Sequence, residues 1–194
     1  KSDLIVLSGN MYGEIASKLL NIGESQAEEA LVYWKNLFGE DFYLEMMRHG
    51  QEDEDRVNQS LLKFSRDHNI KIVATNNSFY LNKEDANAHD ILLCVKDGEK
   101  QSTPIGKGRS FRYGLKNQEY YFKSSDEMNL LFGDLPEAIS NINEIVEKVE
   151  FFDLNRDVLL PKFTIPSDFE PKTSDIENEY LKHITYLGAK KIYK

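Results

Sequence analysis

Four residues stand where apolar runs of the sequence give way to loops: Asn10, His49, Asn77 and Phe79. The runs beside them, residues 4–7 (LIVL), 42–49 (FYLEMMRH) and 70–75 (IKIVAT), read as strands. If the three strands are neighbours, their exits open on one mouth, where β/α proteins gather reactive groups. A divalent cation there would need imidazole, thiolate or carboxylate donors. One imidazole, two neutral amides and an apolar ring do not supply them. The expectation is a hydrogen-bonded pocket with no metal, no cofactor and no catalytic residue.

The remaining ionisable residues read as structural. Glu45 shares a strand face with His49 and is expected to be a buried, paired carboxylate. Asp85 and His89 lie four apart on a helical stretch and are expected to form a helix-stabilising pair, since two ligands do not make a metal site. His68 and His183 read as surface residues of helices, and Cys94 as a small apolar core residue. Lys107 to Tyr113 (KGRSFRY) interleaves basic and aromatic residues, a pattern met in nucleic-acid binding. It is short and sits in an acidic chain, so it reads as a solvated loop. The glycines at 98, 106, 108 and 114 lack the strand-turn-helix context of a phosphate loop.

The elements that must position these residues follow from periodicity. Gly13–Leu20 reads as a helix with Ile15, Leu19 and Leu20 inward. Ser25 is expected to cap a longer one with Ala27, Leu31, Trp34 and Phe38 inward, ended by Gly39. A third runs from about Asp53 to His68 on Val57, Leu61 and Phe64 and stops at Asn69. The order strand, helix, strand, helix, strand predicts a parallel sheet with crossover helices. Asn82 is expected to cap a helix through Val95; residues 97–118 read as irregular and 119–123 as a short strand or extended segment. Ser124 and Glu127 form a capping box before Met128, Leu131 and Phe132. Pro136 opens a helix whose inward face is Ile139, Ile142, Ile145, Val146 and Val149. Residues 159–173 hold three of the five prolines and read as an extended linker to a last helix, opened by Ser174 and Asp175 and carrying Tyr180, Leu181, Ile184 and Leu187.

At 194 residues the chain can bury roughly 70% of its unfolded surface, enough for a core without disulfides. A net charge of −9 makes this chain a poor candidate for a nucleic-acid contact surface. The single cysteine excludes an intrachain disulfide and fits a reducing cytoplasm. No apolar run approaches the ~20 residues needed to cross a bilayer. The start at Lys1, entering an apolar run by Leu4, is expected of a piece cut from a longer chain.

Four stretches together resemble one family. LSGNMYGEI (7–15) is similar to a family segment LSGC-x-x-G-x-I, and FYLEMMRHG (42–50) to FYLE-x-x-RHG. VATNNSFY (73–80) is similar to VATNDVHY, and EDANAHDILLCV (84–95) to a helix of the form eD-x-x-x-HdiLLC-x. The later stretches 123–148 and 159–163 (LLPKF) resemble the same family's continuation. The chain thus resembles the PHP (polymerase and histidinol phosphatase) domain of bacterial DNA polymerase III alpha subunits.

The resemblance implies an α/β fold: the later strands and helices of a distorted PHP-type β/α barrel over 1–158, then a linker and first palm helix over 159–194. It implies a parent DNA-directed DNA polymerase that uses Mg, acts in the cytoplasm, touches DNA through other domains and associates with other holoenzyme subunits, notably a proofreading exonuclease. It implies no membrane. Active members hold metal ions at the barrel mouth, but here Asn10 stands at the family's cysteine, Asn77 at its aspartate and Phe79 at its histidine; only His49 matches a ligand type. The implied role is a non-catalytic scaffold; the alternative is a metal-dependent phosphoesterase or 3′–5′ proofreading exonuclease.

Overall fold

The computed structural model describes residues 3–151, 153, 155 and 163–193. They form two compact units, Lys1–Glu150 and Phe151–Lys194. The expected boundary at 158/159 and residues 159–162 of the expected linker lie outside the described residues.

The first unit is built on an open, parallel three-stranded sheet of order β1-β2-β3: β1 Val6–Leu7, β2 Phe42–Met46 and β3 Ile72–Ala74. Val6 pairs with Phe42, and Leu44 pairs with Ile72. β2 is central, and Phe42, Tyr43, Leu44 and Met46 are all buried, as a strand covered on both faces requires. The crossovers are α1 (Glu14–Asn21) with α2 (Glu24–Phe38), and α3 (Glu52–His68). They deliver Ile15, Ala27, Leu31, Val57, Leu61 and Phe64 to the core. All three strands are shorter than expected, because the flanking apolar residues pack, or in the case of Leu4 stay exposed, without joining the ladder.

Helix ends mostly obey local rules. Asn69 stops α3 in the left-handed conformation (φ 51). Ser124 and Glu127 form the reciprocal box that starts α5 (Ser125–Leu131). Ser25 does not cap α2: the helix begins at Glu24 behind the extended Gly23, and Glu24 is held by Lys63 at 2.6 Å. Asn82 and Asp85 make their box around a 3₁₀ turn (Lys83–Asp85) that leads into α4 (Ala86–Asp97). Residues 119–123 do not form a sheet strand; they run extended beside residues 79–80, joined by Phe79 N–H to Tyr120 O (2.8 Å) and Phe122 N–H to Tyr80 O (2.9 Å).

α6 (Pro136–Lys148) covers β3, with Ala138 buried and Ile139 and Ile142 packed on the core. Asn141 donates to the Ile72 carbonyl at 2.8 Å, satisfying a group on the strand's outer edge. Val146 and Val149, expected to face inward, are each 64% exposed. The last turn is fastened instead by charges: Tyr43 Oη donates to Glu144 at 2.7 Å, Lys71 binds Glu144, and Lys148 binds Asp41 at 3.0 Å.

The second unit contains α7 (Ile176–Ile192), N-capped by Asp175, which accepts from Asn178 N–H. No residue of α7 is buried. Phe163 and Phe169 from the preceding extended stretch lie 5.6 and 5.0 Å, ring to ring, from Tyr180.

Candidate functional site at the strand exits

Because the three strands are parallel, the loops after β1, β2 and β3 leave the same edge of the sheet. The first is a tight turn. Gly9 has φ +80, and a Cβ at Gly13 would collide with the Ser8 carbonyl, so only glycine fits. Asn10 folds back locally, its Oδ1 accepting from Tyr12 N–H at 2.9 Å. Ser8 Oγ accepts from Glu45 N–H at 2.9 Å, and Thr75 Oγ1 donates to Glu45 Oε1 at 2.7 Å. These bonds stitch the three exits together; Glu45 is paired, through Thr75, but it is half-buried and not the buried carboxylate expected of it.

His49 is 1% exposed and fully framed. Its backbone N–H donates to Glu54 Oε2 at 2.5 Å, and its ring Nδ1 lies 2.7 Å from Glu54 Oε1. Its carbonyl accepts from Asn117 Nδ2. The imidazole stacks on Tyr120 with centroids 4.2 Å apart and planes within 9°. With a carboxylate against Nδ1, the ring's second nitrogen, Nε2, is the one left facing away from Glu54. That Nε2 is buried and has no hydrogen-bond partner among the described residues. Burial first, then the nearby Glu54 charge, pushes the Tyr120 phenol up to about 12, so it stays protonated. Tyr120 Oη also accepts from Gln51 Nε2.

Phe79 reaches the same cluster from β3's exit, 5.9 Å from Tyr120 and 5.5 Å from His89. Of the four mouth residues, then, His49 and Phe79 meet through Tyr120. Asn10 is occupied by its own turn, and the half-buried Asn77 amide makes no hydrogen bond among the described residues. Among the described residues, no group of three or more His, Cys, Asp or Glu is arranged to hold a metal ion.

Several expectations need correction. Asp85 and His89 do not pair: Asp85 caps its turn on Asn82, while His89 packs against Phe79 and Tyr80. His68 is half-buried, with Nε2 2.7 Å from Glu28, rather than a plain surface residue. Arg112, inside the supposedly solvated 107–113 loop, is 6% exposed and bonds Asp90 at 2.6 and 2.9 Å. Cys94 is buried, and His183 is exposed on α7. Glu54 and Tyr120 were missed. Glu54 lay hidden in an acidic first helical turn, and nothing local in EYYFK marks Tyr120 as the lid on His49.

No family model matches the chain. Curated relatives match nearly all of it. It is 38% identical over 192 residues to the DNA polymerase III subunit alpha of Borreliella burgdorferi, covering 98% of this chain and 16% of that protein. The same-named subunits of Pseudomonas aeruginosa (34%) and Treponema pallidum (32%) each match over 186 residues, 95% of this chain and 15% of theirs. The chain therefore spans about a sixth of the length of these relatives and is similar to one continuous segment of them. Among the described residues, no helix is long and apolar enough to cross a membrane.

Proposed function

We propose that this chain is that segment of a bacterial DNA polymerase III alpha subunit, the DNA-directed DNA polymerase of chromosome replication, and that it serves as a non-catalytic scaffold. The observation that carries the first half is similarity over 98% of the chain to a named alpha subunit. In this reading residues 1–158 are the C-terminal half of a PHP domain and 159–194 lead to the palm. Polymerase chemistry, with its Mg ions, and the contacts to template belong to other domains of the full chain in the cytoplasm.

The scaffold half rests on the donor set at the strand exits. Asn10 and Asn77 bring neutral amides and Phe79 brings an apolar ring, so the charge of a metal cluster would go uncompensated. The residues present do not fit such a cluster. What persists is a packed core with stitched exits, suited to docking other holoenzyme subunits, notably a proofreading exonuclease. One observation favours the alternative of a metal-dependent phosphoesterase or 3′–5′ exonuclease: His49 presents a bare Nε2 already oriented by Glu54, as metal-bound histidines commonly are.

Metal analysis of the full-length subunit after dialysis, with a phosphatase assay in added manganese, separates the two. The expected result is no stoichiometric zinc, manganese or iron and no hydrolysis of phosphomonoesters or DNA ends. Two or more tightly held ions per subunit would restore the enzymatic reading. Calorimetry of the same subunit with the exonuclease subunit tests docking, and absence of association removes the main support for the scaffold.

A further inference from the structure

The segment from Lys100 to Lys116 is the chain's chemical opposite. It carries Lys100, Lys107, Arg109, Arg112 and Lys116 and no carboxylate, in a protein of net charge −9. Arg112 is not part of the exposed charge, because it is buried and bonded twice to Asp90 of α4. The other four cations are exposed, and none forms an ion pair or side-chain hydrogen bond among the described residues. Their charge therefore stays unneutralised, and the segment itself supplies no carboxylate to offset it.

The loop is also built rather than slack. Arg112 N–H donates to Pro104 O at 2.9 Å, Gly106 N–H to Arg112 O at 3.1 Å, and Arg112 Nε to Thr103 O at 2.8 Å. Gly106 lies under the Phe111 ring so closely that a Cβ there would sit 2.5 Å from Cδ1. The buried arginine thus roots the loop, which closes through a parallel bridge between Ile105 and Arg112 and leaves residues 106–111 as its tip. Lys107 and Arg109 precede Phe111, 46% exposed, and Tyr113, 50% exposed, follows two residues later. Two half-bare rings beside unpaired cations in one loop suit one ligand chemistry: phosphates on the charges and unpaired bases stacked on the rings. A duplex hides its base faces and uses only the charges. An acidic peptide would leave the rings idle.

We propose that the 100–116 loop is a contact site for single-stranded nucleic acid, independent of base sequence. It stands on the loop alone and does not depend on the polymerase reading or on the state of the strand-exit pocket. The acidic remainder of the chain repels the strand, so contact is confined to the tip and the affinity is modest and salt-sensitive.

Anisotropy of fluorescein-labelled oligodeoxythymidylate, titrated with the whole chain at low salt, reads this directly. Log affinity should fall with log salt at a slope no steeper than about −3, the limit for four phosphate contacts on a single strand. The double variant Lys107→Gln/Arg109→Gln should flatten that slope by about 1.4 and weaken low-salt binding roughly tenfold. Tyr113→Ala should weaken binding roughly fivefold or more while leaving the slope alone. Circular dichroism melts matching the parent show that these variants still fold. The proposal is overturned if the parent does not bind, if either variant binds as the parent does, or if duplex DNA or polyglutamate competes as well as the oligonucleotide.

Discussion

The two compact units obey the same helix rules and end in different states. α3 and α7 both carry apolar residues at helical spacing, acidic residues in the first turn and basic ones in the last. In α3 that stripe is satisfied: Val57, Leu61 and Phe64 are buried against β2 and its neighbours. In α7 it is not, and Leu181, Ile184, Tyr186 and Leu187 are each at least 40% exposed. Periodicity reports which face of a helix needs a partner; it says nothing of whether that partner lies within the same stretch of chain. Helices in proteins gain most of their stability from such packing, and the described residues of the second unit do not supply it to α7.

Truncating a ring in each unit gives the largest contrast. Phe132 is fully buried beneath the Arg48 guanidinium, which lies 4.7 Å from the ring centroid. Phe132→Ala should cost about 3–5 kcal/mol of unfolding free energy, the usual loss for an aromatic removed from a core. Tyr180→Ala, which removes the centre of the ring cluster in the second unit, should shift the main transition by less than about 0.5 kcal/mol. Urea melts of the two variants check this. A comparable loss in both would mean that the units unfold as one and the contrast is false.

The sequence carried the parallel order of the sheet because its strand and helix signals alternate, and a helix between two strands returns the chain to run in the same direction. It overstated each strand because an apolar run measures burial, and Ile70 is buried at 5% without belonging to β3. The exits were legible as positions but not as a site. His49 was visible; Tyr120, which stacks on it, comes from a distant extended segment whose sequence resembles many others. Asp85–His89 failed for a local reason: the Asn82 box is made at the start of the turn and claims Asp85 first. The inward run predicted for α6 failed at its end, where ionic tethers to Tyr43, Lys71 and Asp41 replaced apolar contact.

A smaller effect separates the root of the 100–116 loop from the core. Arg112→Leu keeps bulk but removes the bonds to Asp90, Thr103 and the Gln101 carbonyl. The expected outcome is faster amide exchange at Gly106 and Arg112, whose N–H groups close the loop, with the urea midpoint of the first unit little changed. If the midpoint falls along with loop protection, the loop is part of the cooperative core and not a separate element rooted on it.

The smallest expected effect lies at the N-terminal end of the sheet, the reverse of the strand exits. There Glu144 is held down to about 2, first by Lys71 and then by the Tyr43 hydroxyl, with Lys148 adding to both. The groups facing it are Lys71 at the start of β3, Tyr43 on β2 and Lys148 one turn along α6. A carboxylate whose folded pKa lies below its unfolded one binds fewer protons when folded, so its stabilisation is complete above the ordinary value near 4.5. It is lost as pH falls from there toward 2. About a third of the side chain remains in water, its relative exposure being 32%, and screening limits the effect to about 1 kcal/mol. Glu144→Gln should therefore be slightly less stable than the parent at neutral pH, with the difference shrinking steadily below pH 4.5. Parallel melts across that range measure it. A difference that stays constant with pH would assign the loss to hydrogen-bond geometry around Tyr43 rather than to the charge on Glu144.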